Sequence, residues 1–324
     1  MVRSHIGLRS AVLPILILAF AGCGKSNNDP ANHNHGEVTK IEKAFSGEYP
    51  IRIVCTTGMV ADLVRKIGGE SVAVTQMMGD GVDPHLYKAS PGDVSLLSQA
   101  DAIFYSGLHL EGKMTDVFER MARKKPTIAV ADAIPAGKRI DNDGSSFDPH
   151  VWFDVSLWRE AAGVVRDRMK EFDPPHADAF QKRADEYQSE LAKLHDDAKV
   201  QLQTIPKDRR VLVTAHDAFR YFGRAYDLEV KGIQGISTES EAGLKDVNDL
   251  VAFLVERKIK AVFVESSVPD KNVRALIEGC RARGHEIAIG GELFSDAMGK
   301  PGTPEGTYVG MVRHNVETIV KALK

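Results

Sequence analysis

The stretch PPHADAFQKRADEYQSELAKLHDDAKVQLQ, residues 174–203, decides the architecture of the chain. It contains no glycine, is dense in charge, and sets Ala177, Phe180, Ala184, Tyr187, Leu191, Leu194, Ala198 and Leu202 three or four residues apart. That spacing is the apolar stripe of one long α-helix. At 1.5 Å per residue, ~28 residues make a rod of roughly 42 Å, long enough to join two lobes. A coiled-coil dimerisation arm is the alternative. The stripe is short and rich in alanine, which favours packing against the protein's own body.

Both flanks of the rod alternate strand and helix. Before it, β-branched or apolar runs at 51–55, 72–74, 102–105 and 127–130 are separated by helical patterns that include 91–100 and 113–123. After Pro206, strand-like runs at 211–213, 230–233, 261–264 and 286–289 alternate with helical patterns near 217–225, 242–256, 272–283 and 307–323. This order predicts an α/β fold of parallel β/α units, arranged as two lobes joined by one long rigid helix. The boundaries read as a signal peptide over 1–22, a lipidated N-terminus and flexible tether over 23–48, an N-terminal β/α lobe over 49–173, the linking helix over 174–205 and a C-terminal β/α lobe over 206–324.

With 324 residues, 43% hydrophobic and 27% charged, the chain is long enough for two cores. Its net charge is −3; removal of 1–22 takes Arg3 and Arg9 and leaves 40 basic against 45 acidic residues, or −5. No basic stripe or interleaved aromatic pattern appears, so no nucleic-acid partner is expected. Arg3 and Arg9 precede an apolar run at 11–21, too short to span a bilayer as a mature helix. Phe20-Ala21-Gly22-Cys23 resembles the bacterial lipoprotein signal, with Phe20 where leucine is usual, and places the lipid on Cys23. A plain secretory peptide cut near Gly22 is the alternative, and either exports the chain. In the polar tether, His33 and His35 are incidental or a loose metal catch. Cys55 and Cys280 fall in a strand and a helix of opposite halves and read as buried small hydrophobes.

The tripeptide Asp-Pro-His occurs twice, at Asp83-Pro84-His85 and within Asp148-Pro149-His150-Val151-Trp152-Phe153-Asp154. Proline keeps the preceding aspartate out of the helical region, so each histidine leaves a stiff turn. Two imidazoles delivered by two loops of one lobe suit a metal pair; rigid capping loops are the bland reading. Both triplets are expected in loops beyond strand carboxyl ends, where ligands gather in such sheets. In the second half, His216 follows a strand and opens a helix, and Asp296 lies in the loop after the last strand. If the lobes face each other, three imidazoles and one carboxylate converge, a donor set that suits Zn(II) and is acceptable to Mn(II). Glu265 ends a strand near the same cleft; it accepts the second ring proton of a ligand histidine or makes a surface salt bridge.

With these stations in order, together with Tyr105-Ser106-Gly107-Leu108-His109-Leu110-Glu111, His216-Asp217-Ala218-Phe219, Gln234-Gly235-Ile236-Ser237-Thr238-Glu239, Val264-Glu265-Ser266-Ser267 and Phe294-Ser295-Asp296, residues 49–324 resemble the substrate-binding proteins of bacterial ABC importers for zinc and manganese. The resemblance implies two β/α lobes on one long helix, with the transported ion held in the cleft by His85, His150, His216 and Asp296. It implies an exported, lipid-anchored monomer facing the periplasm or the cell exterior, with a membrane permease as partner and no catalysis. Manganese-specific members tend to carry glutamate at the position of His216, so histidine there points to zinc, with manganese second.

An exported zinc hydrolase is the opposing class, but no His-Glu-x-x-His pair appears. A surface adhesin is compatible with the anchor and has no need of the histidines. His109 reads as structural or as support for the site, and His176, His195, His285 and His314 as solvated. Since only neutral imidazole binds metal, binding should weaken as pH falls through about 6.5. Release should involve the loops around Asp296 or His216, because a single long helix resists wide opening.

Overall fold

The computed structural model describes residues 1–2, 41 and 43–324. Cys23, His33, His35, nearly all of the expected signal peptide and much of the tether lie outside the described residues. The described residues from 41 onward belong to one compact unit.

The chain enters its body through β1 (Ile51–Cys55), α1 (Gly58–Gly68), β2 (Val72–Gln76), α2 (Pro91–Gln99), β3 (Ala102–Tyr105), α3 (Thr115–Ala122) and β4 (Thr127–Ala129). These strands pair in parallel in the order β2-β1-β3-β4. The turns are locally encoded. Thr57 caps α1, and Ser90 with Asp93 forms a reciprocal capping box at the start of α2, where Pro91 supplies its preset φ. After β4 the pattern of the sequence gives way to a small antiparallel hairpin, β5 (Asp141–Asn142) and β6 (Ser146–Phe147), then α4 (Val155–Phe172) and α5 (Ala177–Leu202).

The apolar stripe of the rod belongs to α5, 26 residues and roughly 39 Å long. Its Phe180, Ala184, Tyr187, Leu191, Leu194, Ala198 and Leu202 are all buried against α4, α1 and further helices of the same body. Residues 155–172, outside the elements expected above, form an 18-residue helix, α4, the main partner of α5. Its Leu157, Trp158, Ala161, Val165 and Met169 supply the matching stripe, and Asp154 caps it by accepting from Ser156 N at 3.0 Å. The stretch also holds three arginines, Arg159, Arg166 and Arg168, but its apolar positions recur three or four residues apart, a helical signal that the sequence already carried.

The second lobe contains β7 (Val211–His216), α6 (Arg220–Tyr226), β8 (Glu229–Gln234), α7 (Leu244–Glu256), β9 (Ala261–Glu265), α8 (Lys271–Ala282), β10 (Ala288–Leu293) and α9 (Tyr308–Leu323). Among the described residues, β7 pairs with β8 and β9 with β10, both in parallel, and β7 lies beside β9. One core cluster runs from β1 and α1 through α4 and α5 to α9, so the same helices bury apolar side chains of both lobes. Smaller cores fill the outer part of each lobe. Cys55 and Cys280 are buried free thiols, as their place in β1 and α8 predicts.

Candidate metal centre

Four loops or strand ends bring four polar side chains into the cleft. His85 sits in the segment between β2 and α2, where Asp83 Oδ1 accepts from His85 N at 2.9 Å and closes the turn. His150 repeats this geometry: Asp148 Oδ1 accepts from His150 N at 3.0 Å and lies 2.8 Å from His150 Nδ1. The second triplet, expected after a strand of the parallel sheet, instead follows the β5–β6 hairpin and runs directly into the turn that starts α4. The hairpin is too short to register as a hydrophobic period. His216 is the last residue of β7, and the helix it was expected to open begins only at Arg220. Asp296 lies three residues beyond β10.

All four are buried, and one donor atom from each lies within 4.8 Å of every other. His85 Nε2 and His150 Nε2 are 3.3 Å apart. Asp296 Oδ2 is 3.5 Å from His85 Nε2 and 3.3 Å from His216 Nε2, and Asp296 Oδ1 is 3.5 Å from His150 Nε2. Donors at ~2.05 Å from a tetrahedral zinc sit about 3.3 Å from one another, so these separations fit one cation. His216 Nε2 and both Asp296 oxygens are buried without a hydrogen-bond partner. Three unpaired buried polar atoms in one place are costly unless a cation satisfies them.

Charges already present prepare the cluster. Burial pulls the His216 imidazole down, but the carboxylates of Glu265 and Asp296 outweigh it and hold its pKa well above the ordinary histidine value. Burial pushes His85 down to about 3. Burial also opposes ionisation of Asp296, yet His216, His150 and His85 together keep it well below the usual carboxylate range.

Around the four lies a buried scaffold of hydrogen bonds. Glu265, 5% exposed, grips His216 twice, accepting from its backbone N at 2.8 Å and meeting Nδ1 at 2.6 Å. Trp152 Nε1 donates to Ser295 O at 3.2 Å, joining the His150 loop of one lobe to the Asp296 loop of the other. Ser267 Oγ pairs with Ser295 Oγ at 2.8 Å and accepts from Asp296 N. Sequence reasoning missed Asp148, Trp152, Ser267 and Ser295 in these roles. The signal for Asp148 was present, because a carboxylate two residues before a histidine is placed to close an Asx turn. It also missed Gly232 in β8: a Cβ there would stand 2.4 Å from Asp217 N, so only glycine lets β8 lie against the end of β7. A glycine inside a strand pattern is the sign of such an approach.

The remaining histidines stand outside the cluster. His109 is exposed in a left-handed turn, at φ 64°. The four expected to be solvated are instead half-buried and tied: His176 to Asp173, His195 to Tyr226 Oη, His285 to Ile259 O and His314 to Glu292 O. A lone histidine on a helix gives no hint of its tertiary partner.

Two β/α lobes on a shared long helix, with imidazoles and a carboxylate from both meeting in the cleft, make a bilobal metal-binding protein, and the chain belongs to the family described as zinc-uptake complex component A periplasmic, whose family model matches residues 53–322. Particular relatives carry the comparison further. The chain is 49% identical over 319 residues to the manganese-binding lipoprotein MntA of Bacillus subtilis, covering 98% of this chain and 99% of that protein. It is 51% identical over 271 residues to the zinc-binding protein TroA of Treponema pallidum, covering 84% and 88%. The solved structure of periplasmic zinc binding protein TroA matches with a TM-score of 0.83 at 51% identity, over 84% of this chain and 99% of that one.

Proposed function

We propose that this chain is an extracytoplasmic receptor, not an enzyme, that binds Zn(II) and hands it to the membrane permease of an ABC importer, with Mn(II) as second candidate cargo. His85, His150, His216 and Asp296 are the proposed ligands. The observation that carries the reading is the cluster itself: donors from both lobes, buried, with nearest separations of 3.3–3.5 Å. Three imidazoles favour zinc over harder ions, while the carboxylate keeps manganese within reach. The two relatives of nearly equal identity are named for different metals, which supports the pair of candidates. Neither the hydrolase nor the adhesin reading gains support from relatives so named.

The rest of the reading is a lipid on Cys23, anchorage of a monomer outside the cytoplasm, and lobes bounded at 49–173 and 206–324 with the link at 174–205. A relative named as a lipoprotein supports the anchor. Among the described residues no helix is long and apolar enough to cross a membrane.

Elemental analysis of protein purified without added metal, followed by zinc and manganese competition calorimetry, tests the function. The expected result is about one ion per chain at nanomolar affinity or tighter, ~12 kcal/mol or more. Alanine at any of the four positions should abolish tight binding. Protein that takes up neither ion, or that turns over esters or phosphoesters with zinc, would overthrow the receptor reading.

A further inference from the structure

His85 is the member of the cluster nearest to solvent: it is 4% exposed, against 0% for His150 and His216 and 1% for Asp296. It rides on a segment without helix or strand, 77–90, whereas His216 ends β7 and His150 runs into the start of α4. The residue after it, Leu86, is 46% exposed. An ion that leaves the cluster by the shortest way therefore passes His85, not the Asp296 or His216 loops expected from the sequence.

This segment is tied to the other lobe. While Asp83 Oδ1 accepts from His85 N, its second oxygen, Oδ2, accepts from Thr238 Oγ1 at 2.6 Å. Thr238 belongs to 235–243, the connection between β8 and α7. One end of that connection is fixed beside His216, where Gly235 O accepts from Asp217 N at 3.2 Å, and Gln234 Nε2 donates to Ser240 O at 3.2 Å. Residues 235–243 thus form a strap from the His216 station to the His85 loop. A second tie, Lys113 Nζ to Glu239 at 3.5 Å, has side chains 29% and 49% exposed, and exposed pairs of this kind contribute little. The Thr238 bond is short, has an ionisable acceptor and involves a residue only 9% exposed.

We propose that Thr238 latches the mouth of the cleft: by its bond to Asp83 it holds the His85 loop over the bound ion and sets how fast the ion leaves. The proposal rests on the receptor reading above. Thr238 touches no ion and is a positioning residue. Its bond must break before His85 can swing outward, yet its loss leaves all four donors in place. Removal should therefore act on release rate rather than on stoichiometry.

The test uses the zinc-loaded chain and follows zinc release into an excess of chelator by stopped flow. T238V should release zinc roughly ten-fold faster than the unmodified protein, still binding one ion per chain. T238S, which keeps the hydroxyl, should restore the slower rate. In the metal-free protein, T238V should speed amide exchange in residues 79–86 without lowering the temperature of global unfolding. T238A serves as a second variant should valine disturb the strap. If both T238V and T238A release zinc at the unmodified rate, or if T238S is as fast as T238V, the latch is wrong and the receptor reading stands. If the unmodified chain takes up manganese and no zinc, the same release comparison is made with manganese and judged by the same outcomes; if it takes up neither ion, both are wrong.

Discussion

Asp83 and Asp148 head the same tripeptide, and their carboxylates serve different partners. Both close an Asx turn on the following histidine, but Asp148 also meets the His150 ring, whereas Asp83 turns its other oxygen to Thr238. For His216 the corresponding carboxylate is remote in sequence, Glu265 at the end of β9. It fixes the tautomer and makes the ring more basic, the usual role of a carboxylate behind a metal-binding imidazole. Glu265→Gln should weaken zinc binding about 10- to 100-fold in competition calorimetry while leaving the fold intact by circular dichroism. Proton competition carries a definite sign. Because Glu265 and Asp296 hold His216 protonated to higher pH than an ordinary histidine, an incoming ion displaces that proton even at neutrality. Affinity should keep rising above pH ~6.5, the point from sequence composition alone, and calorimetry in buffers of different ionisation enthalpy should register about one proton released per ion. An affinity flat between roughly pH 6.5 and 8.5 would contradict this. The metal-free protein should behave in the opposite sense. The His216 pairing is complete below the unfolded value near ~6.5 and is lost as pH rises through the raised folded value, so stability without metal falls toward alkaline pH.

Helix α5 shows why one element can carry the architecture. Its stripe packs on α4 and α1 of one lobe and reaches α6 and α9 of the other, so it is both connector and core. Leu191, fully buried near its middle, is a direct probe of that role. Leu191→Ala should destabilise the metal-free protein by about 2–5 kcal/mol in urea unfolding, since a cavity at a jammed helix interface collapses poorly. Were the helix a loosely attached rod, the loss would be small. Helix α4 in turn begins at the Asp154 cap, four residues after His150, so the His150 loop is set by the same helix that backs the rod.

Across the whole molecule the lobes are joined by more than the rod. Tyr308 Oη donates to Trp152 O at 2.6 Å, Tyr221 Oη to Asp148 O at 3.0 Å, and Trp152 Nε1 to Ser295 O at 3.2 Å, all buried. So stapled, the cleft should not open widely. Small-angle scattering of zinc-free and zinc-loaded protein should superimpose, and zinc at ~1,000 times its dissociation constant should stabilise the chain by about 4 kcal/mol in thermal unfolding, an effect absent in His85→Ala. Much of this was legible along the chain. The rod, the strand and helix alternation and the stiff Asp-Pro-His turns rest on local periodicity and local torsional limits, which a linear sequence carries in full. The sequence also offered His85, His150, His216 and Asp296 as candidate donors, and these four side chains come together. What folding alone settled is which groups touch: the packing of the α4 stripe on α5, the pairing of Glu265 with His216, the strap at Thr238, and the convergence of the four side chains, whose nearest pairs are 3.3–3.5 Å apart. These are contacts between residues tens to more than two hundred positions apart, and their distances depend on how the two lobes pack against one shared helix, a quantity no local pattern contains.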